Sequence, residues 1–209
     1  MNLDPAIHRC FRKTYPCPTP AIFLDRDGVI VEEVGYLHRS EDIQLILPAA
    51  AAIAVFNHLN IPVVVVTNQA GIARGYYQWP DFKHCQQQIE QQLGAHQAHL
   101  DGVWACGALD TGHEFRKPNP GMLRDAAETM NLDLARSWII GDKTIDILTG
   151  IHARLEGAIL VRTGYGADME KEVRTLEPAT SIHVADTLFD AIGILGKHSR
   201  AIMMNSFPK

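Results

Sequence analysis

The sequence predicts an α/β fold, a doubly wound parallel sheet with helices on both faces, and three observations carry that expectation. Apolar runs of strand length recur at 21–24, 61–66, 102–106, 137–140, 158–162 and 182–184. Helical stretches at 48–58, 79–93, 118–130, 145–154 and 188–195 alternate with them through most of the chain, which is the pattern of a parallel sheet wound by crossover helices. Several of the strands run directly into acidic or hydroxyl residues, at the carboxyl edge where open α/β sheets bind ligands.

Each element has a local reason. Residues 1–20 contain Pro5, Pro16, Pro18 and Pro20 and are expected as an extended lead-in along the surface. Ala21-Ile22-Phe23-Leu24 then leads into Asp25-Arg26-Asp27-Gly28. Strand alternation points Asp25 and Asp27 the same way while the strand lasts, and Gly28 lets the backbone turn away from them. A loop over 31–47 carries Gly35-Tyr36-Leu37-His38-Arg39, and Pro48 suits the first turn of the alanine-rich helix after it. The valines of 63–66 mark a strand buried on both faces, and Trp79-Pro80-Asp81 opens the next helix. Residues 21–200 are expected to form one domain, with a tail over 201–209 and no internal repeat.

The chain has 209 residues, 46% of them hydrophobic, enough for one sizeable core. A net charge of −5 argues against nucleic acid or an anionic membrane as partner. The longest greasy stretch, 45–56, is broken by Pro48 and too short to span a bilayer, and no secretory leader is visible. The expectation is a cytoplasmic monomer with Cys10, Cys17, Cys85 and Cys106 reduced and unpaired.

Two carboxylates held close repel one another unless a positive charge lies between them or one is protonated. A hard divalent cation such as Mg2+ meets that need and leaves coordination positions open for phosphate. Taken alone, Asp-x-Asp-Gly is more often a solvated turn. Three later stretches change the weighting. Thr67 and Asn68 follow a buried strand at the same edge and, with the backbone N–H groups near Gly71, offer neutral donors to phosphate oxygens, with Arg74 a few residues on as a grip for a second phosphate or a carboxylate. Lys117 precedes Pro118 at an expected helix start, where its ammonium offsets the carboxylates. Ile139-Ile140-Gly141-Asp142-Lys143 is again strand then acid, with Asp142 as a further metal ligand and Asp146 one turn on to orient Lys143 or a metal-bound water.

These four stretches in this order resemble the haloacid dehalogenase (HAD) superfamily of phosphohydrolases over about 21–164, and so a Rossmann-like, HAD-like sheet without a large cap domain. Asp-Arg-Asp-Gly, Gly35-Tyr36, Thr67-Asn68-Gln69 with Gly71-Ile72-Ala73-Arg74-Gly75, and Arg116-Lys117-Pro118 are similar to the branch of heptose bisphosphate and histidinol-phosphate phosphatases. The resemblance implies Asp25 as nucleophile and Asp27 as acid and base. It implies Mg2+ on Asp25, the backbone carbonyl of Asp27, and Asp142. Thr67, Asn68 and Lys117 would hold the transferred phosphoryl group, with Lys143 and Asp146 in support. Tyr36, His38, Gln69, Arg74 and Arg116 would face the rest of a small phosphorylated substrate, a heptose precursor of lipopolysaccharide core. One departure is plain. Many members of the heptose branch carry a Cys-x-His and Cys-x-Cys zinc loop before Arg-Lys-Pro, whereas here Cys106 is followed only by His113, so no zinc is expected.

Overall fold

The computed structural model describes residues 4–176 and 178–199. In chain order its strands are β1 (Ile7–Phe11), β2 (Ile22–Leu24), β3 (Val63–Asn68), β4 (Gly102–Cys106), β5 (Trp138–Gly141), β6 (Gly157–Val161) and β7 (Ser181–Ala185). Its helices are α1 (Leu47–His58), α2 (Trp79–Ala95), α3 (Gly121–Met130), α4 (Thr144–Ala153), α5 (Gly166–Val173) and α6 (Leu188–His198). The strands form one sheet in the order β1-β4-β3-β2-β5-β6-β7, parallel throughout except for β1 against β4.

Strand β2 is short, fully buried and central. From it the chain builds β3 and β4 to one side and β5, β6 and β7 to the other, so the topological switch point lies at β2. Leu24 is paired with Val65 on one flank and Ile140 on the other. That register brings the residues just beyond, Asp25, Thr67 and Asp142, to the same rim.

Alternate residues of the central strands feed two cores. Ile22, Leu24, Val63, Val65 and Ile140 pack with α1, α2 and α6, whereas Phe23, Val64, Val66 and Ile139 pack with α3, α4 and α5. Both sides of each central strand are therefore apolar, which explains the unbroken valine run.

Three differences from the sequence reading stand out. Residues 7–11, within the expected extended lead-in, form β1 and cap the β4 edge antiparallel, from Ile7 opposite Cys106 to Phe11 opposite Gly102. An antiparallel edge needs no crossover, so a segment outside the alternating pattern can supply it. Helix α5 was not expected, and only Gly166 and Val173 of it are buried, too sparse an apolar stripe to read from sequence. Helix α3 begins at Gly121 rather than at 118, because Lys117 to Pro120 lie in turns and the Gly121 amide donates back to the Glu114 carbonyl at 3.0 Å. Lys117 is consequently held by a turn and not by a helix start. The expected tail, 201–209, lies outside the described residues. No described helix is long and apolar enough to cross a membrane, and all four cysteines are free.

Candidate active site

The rim beyond β2, β3 and β5 gathers charge that burial would ordinarily forbid. Asp25, Asp142 and Asp146 are all buried and each offers a carboxylate oxygen within 4.8 Å of the others. One ammonium is buried among them: Lys117 Nζ lies 3.0 Å from Asp25 Oδ1 and donates to Asp146 Oδ1 at 2.6 Å. Burial works to lower the pKa of Lys117, but Asp146 and Asp25 outweigh it and hold the ammonium above its ordinary value.

The balance of this cluster is negative. Burial first, and then the Asp25 charge, push Asp142 up to about 7, against the opposing pull of Lys143 and the Tyr165 amide. Burial likewise raises Asp146 to about 6 despite Lys117. Three buried carboxylates share one buried ammonium, with Lys143 only at the edge of the cluster, an excess of acid that a divalent cation would offset. Asp142 Oδ2 accepts from the Tyr165 amide at 2.9 Å, yet Oδ1 is buried with no hydrogen-bond donor among the described residues. Lys143 Nζ stands 3.9 Å from it, beyond hydrogen-bond reach. An orphaned carboxylate oxygen on a residue clustered with two other buried acids fits a hard cation such as Mg2+.

Two glycines make room for that carboxylate. A Cβ on Gly28 would fall 2.2 Å from Asp142 Oδ2, and one on Gly164 would fall 2.3 Å from it; both have positive φ, +82° and +57°. The Thr163 hydroxyl closes the same corner by donating to the Gly28 carbonyl at 2.6 Å.

The other expected residues divide by where their side chains go. Asp27 is not one of the three clustered carboxylates: Arg26 Nε and Nη2 clasp both its oxygens at 2.9–3.2 Å, and Gln69 Nε2 donates to Oδ2 at 3.1 Å. Thr67 is buried at the end of β3 and accepts from Gln69 at 2.8 Å. Asn68, expected to face phosphate, instead grips the Lys117 backbone by both ends of its amide, at 3.1 and 3.0 Å. Gln69, expected beside the sugar, is 3% exposed and fully engaged; its oxygen takes Tyr77 at 2.6 Å and Arg26 at 3.3 Å. No donor or acceptor of Gln69 is left for a substrate.

Arg116 donates to the Ala108 carbonyl at 2.7 Å. Arg74 is exposed, and its guanidinium has no partner among the described residues. Tyr36 is exposed and meets Tyr76 edge-on at 4.8 Å, while His38 stacks on Tyr77 within 8° of parallel. Lys143 is held by Glu33 at 2.8 Å and lies over the Tyr165 ring. Asp146 Oδ2 accepts the Lys143 amide at 3.0 Å. In the shortened loop Cys106 Sγ and His113 Nδ1 are 4.0 Å apart, and the far nitrogen of His113 faces Asp4 at 2.9 Å.

Sequence reasoning missed Arg26, Glu33, Tyr77 and Gly164. For Gly164 a signal existed, since it follows a buried strand as Gly28 does. Arg26, Glu33 and Tyr77 carried none, because their partners are distant in the chain or belong to no spacing rule.

A chain with this sheet and this cluster is matched by known proteins. A family model described as polynucleotide kinase 3 phosphatase matches residues 22–151, and one described as HAD-hydrolase-like matches 114–191. The chain belongs to the HAD-like phosphatases and is a phosphoric monoester hydrolase. Within that class the chain is similar to proteins named heptose-1,7-bisphosphate 7-phosphatase. A D-glycero-β-D-manno-heptose-1,7-bisphosphate 7-phosphatase of Mesorhizobium japonicum is 37% identical over 203 residues, 93% of this chain and 92% of the relative. The protein of that name from Escherichia coli K12 is 36% identical, covering 73% of this chain and 84% of its own. A D,D-heptose 1,7-bisphosphate phosphatase of B. bronchiseptica, solved with magnesium and phosphate, superposes with a TM-score of 0.78 at 26% identity, over 86% of this chain and 99% of that one.

Proposed function

We propose that this phosphatase hydrolyses the 7-phosphate of D-glycero-D-manno-heptose 1,7-bisphosphate in the cytoplasm as a monomer, with Mg2+, through an aspartyl phosphate. The observation that carries the chemistry is the buried Asp25–Asp142–Asp146 cluster around Lys117, with Asp142 Oδ1 left unpartnered. The shared name of the relatives supports the substrate. Asp25, Asp142 and the backbone carbonyl of Asp27 would hold Mg2+, which when bound neutralises charge on the transferred group.

The chain's own residues do the rest. Asp25 Oδ1 is held by the Arg26 amide and Lys117, while Oδ2 takes no hydrogen bond among the described residues. A free oxygen of Asp25 forms the new bond to phosphorus as the bond from phosphorus to the sugar oxygen breaks. The electron pair stays on the sugar oxygen and Asp27 gives it a proton. Water then attacks the phosphorus of the aspartyl phosphate and yields a proton to Asp27 as the bond from phosphorus to the Asp25 oxygen breaks; inorganic phosphate leaves and both acids are restored. Lys117 and Thr67 bind the phosphoryl oxygens, and Asn68 acts through Lys117 by fixing its backbone. Lys143 and Asp146 support the cluster, and Arg74, Arg116, Tyr36 and His38 lie on the loops that would meet the sugar and its second phosphate.

A second reading, a histidinol-phosphate or other small phosphate-ester phosphatase, draws on the contact of Arg116 with its own loop at Ala108. A kinetic screen of sugar bisphosphates, sugar monophosphates and histidinol phosphate with Mg2+ separates the two. Preference for the heptose bisphosphate is expected, and a flat profile or preference for histidinol phosphate would overturn the substrate. Asp25→Asn should abolish metal-dependent phosphate release; full retained activity would remove Asp25 as nucleophile.

A further inference from the structure

The DRD motif and the loop after β3 are joined by a buried hydrogen-bond network that the reaction as described leaves without a task. Arg26 is 1% exposed and lies against the Phe82 ring, with its guanidinium carbon 5.1 Å from the centroid. Its fork onto Asp27 sets one edge of that carboxylate. Gln69 sets the other, and its second N–H goes to Thr67. The Gln69 amide is itself oriented by Tyr77, whose hydroxyl donates to Oε1 at 2.6 Å. The orientation of this amide is set by Arg26 and Asp27, because a flip would put Nε2 against a guanidinium that only donates and Oε1 against a carboxylate that, when ionised, only accepts.

We infer that Gln69 and Tyr77, with Arg26 as a fixed counter-charge, are positioning residues for proton transfer, holding the Asp27 carboxyl in the orientation from which it protonates the leaving oxygen. The inference rests on the reading of Asp27 as the acid. After the proton has left, the Asp27 anion finds donors from Arg26 and Gln69 already in place, so no reorganisation is needed at that moment. Burial pushes the Tyr77 phenol well above its ordinary value, so it stays a donor at any working pH. The network also reaches the substrate side. His38 stacks on Tyr77 and its Nδ1–H donates to the Tyr36 carbonyl, 2.6 Å away. The loop carrying Tyr36 therefore leans on the same tyrosine that orients the amide behind Asp27.

Leaving-group dependence tests this, since a good leaving group departs without a proton. Values of kcat/KM are compared for an alkyl phosphate and for 2,4-dinitrophenyl phosphate, and the parameter reports steps only up to phosphoryl transfer. Asp27→Asn should lower the alkyl-to-aryl ratio by about 10²–10⁴, the usual size of general acid catalysis. Gln69→Met, which keeps the volume and loses every hydrogen bond, should lower it about tenfold, in line with slight misplacement of a reacting group. Tyr77→Phe removes only the hydroxyl and should move the ratio in the same direction by a few-fold; it serves if the Gln69 variant fails to fold. Equal losses on both esters, or no loss from either variant while Asp27→Asn shows its selective defect, would overturn the inference. An unselective Asp27→Asn would instead overturn the acid role itself.

Discussion

Replacing Asp142 by Asn should stabilise the metal-free protein while destroying its response to Mg2+. In the folded chain Asp142 is fully buried, next to Asp25, with one oxygen unpartnered. Its pKa rises from 3.8 to about 7, which at about 1.4 kcal/mol per pH unit amounts to an upper bound of about 4 kcal/mol against folding once the group is charged. The sign follows from proton binding. Between pH 4 and 7 the folded state holds the Asp142 proton more tightly than the unfolded state, so this contribution to stability falls as pH rises through that window and stays lost above it. Asn keeps an acceptor for the Tyr165 amide and turns an N–H toward the carboxylates, so about 1–3 kcal/mol of the loss should return at pH 8. Urea unfolding in chelator at pH 5 and pH 8, with and without Mg2+, reads all of this. The parent should lose stability from pH 5 to 8 more steeply than Asp142→Asn, and Mg2+ should rescue only the parent. A variant less stable than the parent in chelator at pH 8, or one still stabilised fully by Mg2+, would refute the reasoning.

Three further outcomes follow from the same geometry. Lys117→Met strips Asp25 and Asp146 of their only buried ammonium among the described residues and should cost about 3–5 kcal/mol in urea unfolding. The penalty should grow as pH rises through 6, because Asp146, raised to about 6 even with Lys117 beside it, is pushed higher in the variant and holds its proton where the parent has released it. Gly164→Ala places a Cβ 2.3 Å from Asp142 Oδ2 at φ +57°, so about 1–2 kcal/mol of backbone strain should accompany weaker Mg2+ binding in calorimetric titration. Asn68→Ala frees the Lys117 backbone from two hydrogen bonds and should cost about 1–3 kcal/mol while weakening inhibition by inorganic phosphate.

Much of this was legible because strand order and chemistry coincide in the chain. Asp25, Thr67 and Asp142 each end or follow an apolar run, and parallel strands in register must deliver such residues to one rim. Side-chain direction was not legible beyond the last strand residue. Beyond Leu24, where β2 stops, alternation no longer applies, and the partner Asp27 finds is the buried guanidinium of Arg26. Asn68 was read as a phosphate donor by residue type and Gln69 as a substrate residue by resemblance, whereas the fold sets both against protein partners, 49 residues away for Asn68 and 2 to 43 residues away for Gln69.

The amino-acid sequence by itself therefore determined the doubly wound sheet, the rim that bears the chemistry and the acids and lysine placed there, since periodicity and strand-end position are local properties. Only the tertiary structure decided which carboxylates share a cavity, which amides are already spent, and that β1 closes the β4 edge. Those outcomes depend on pairwise distances and competition for hydrogen bonds, quantities that exist only once distant segments have packed.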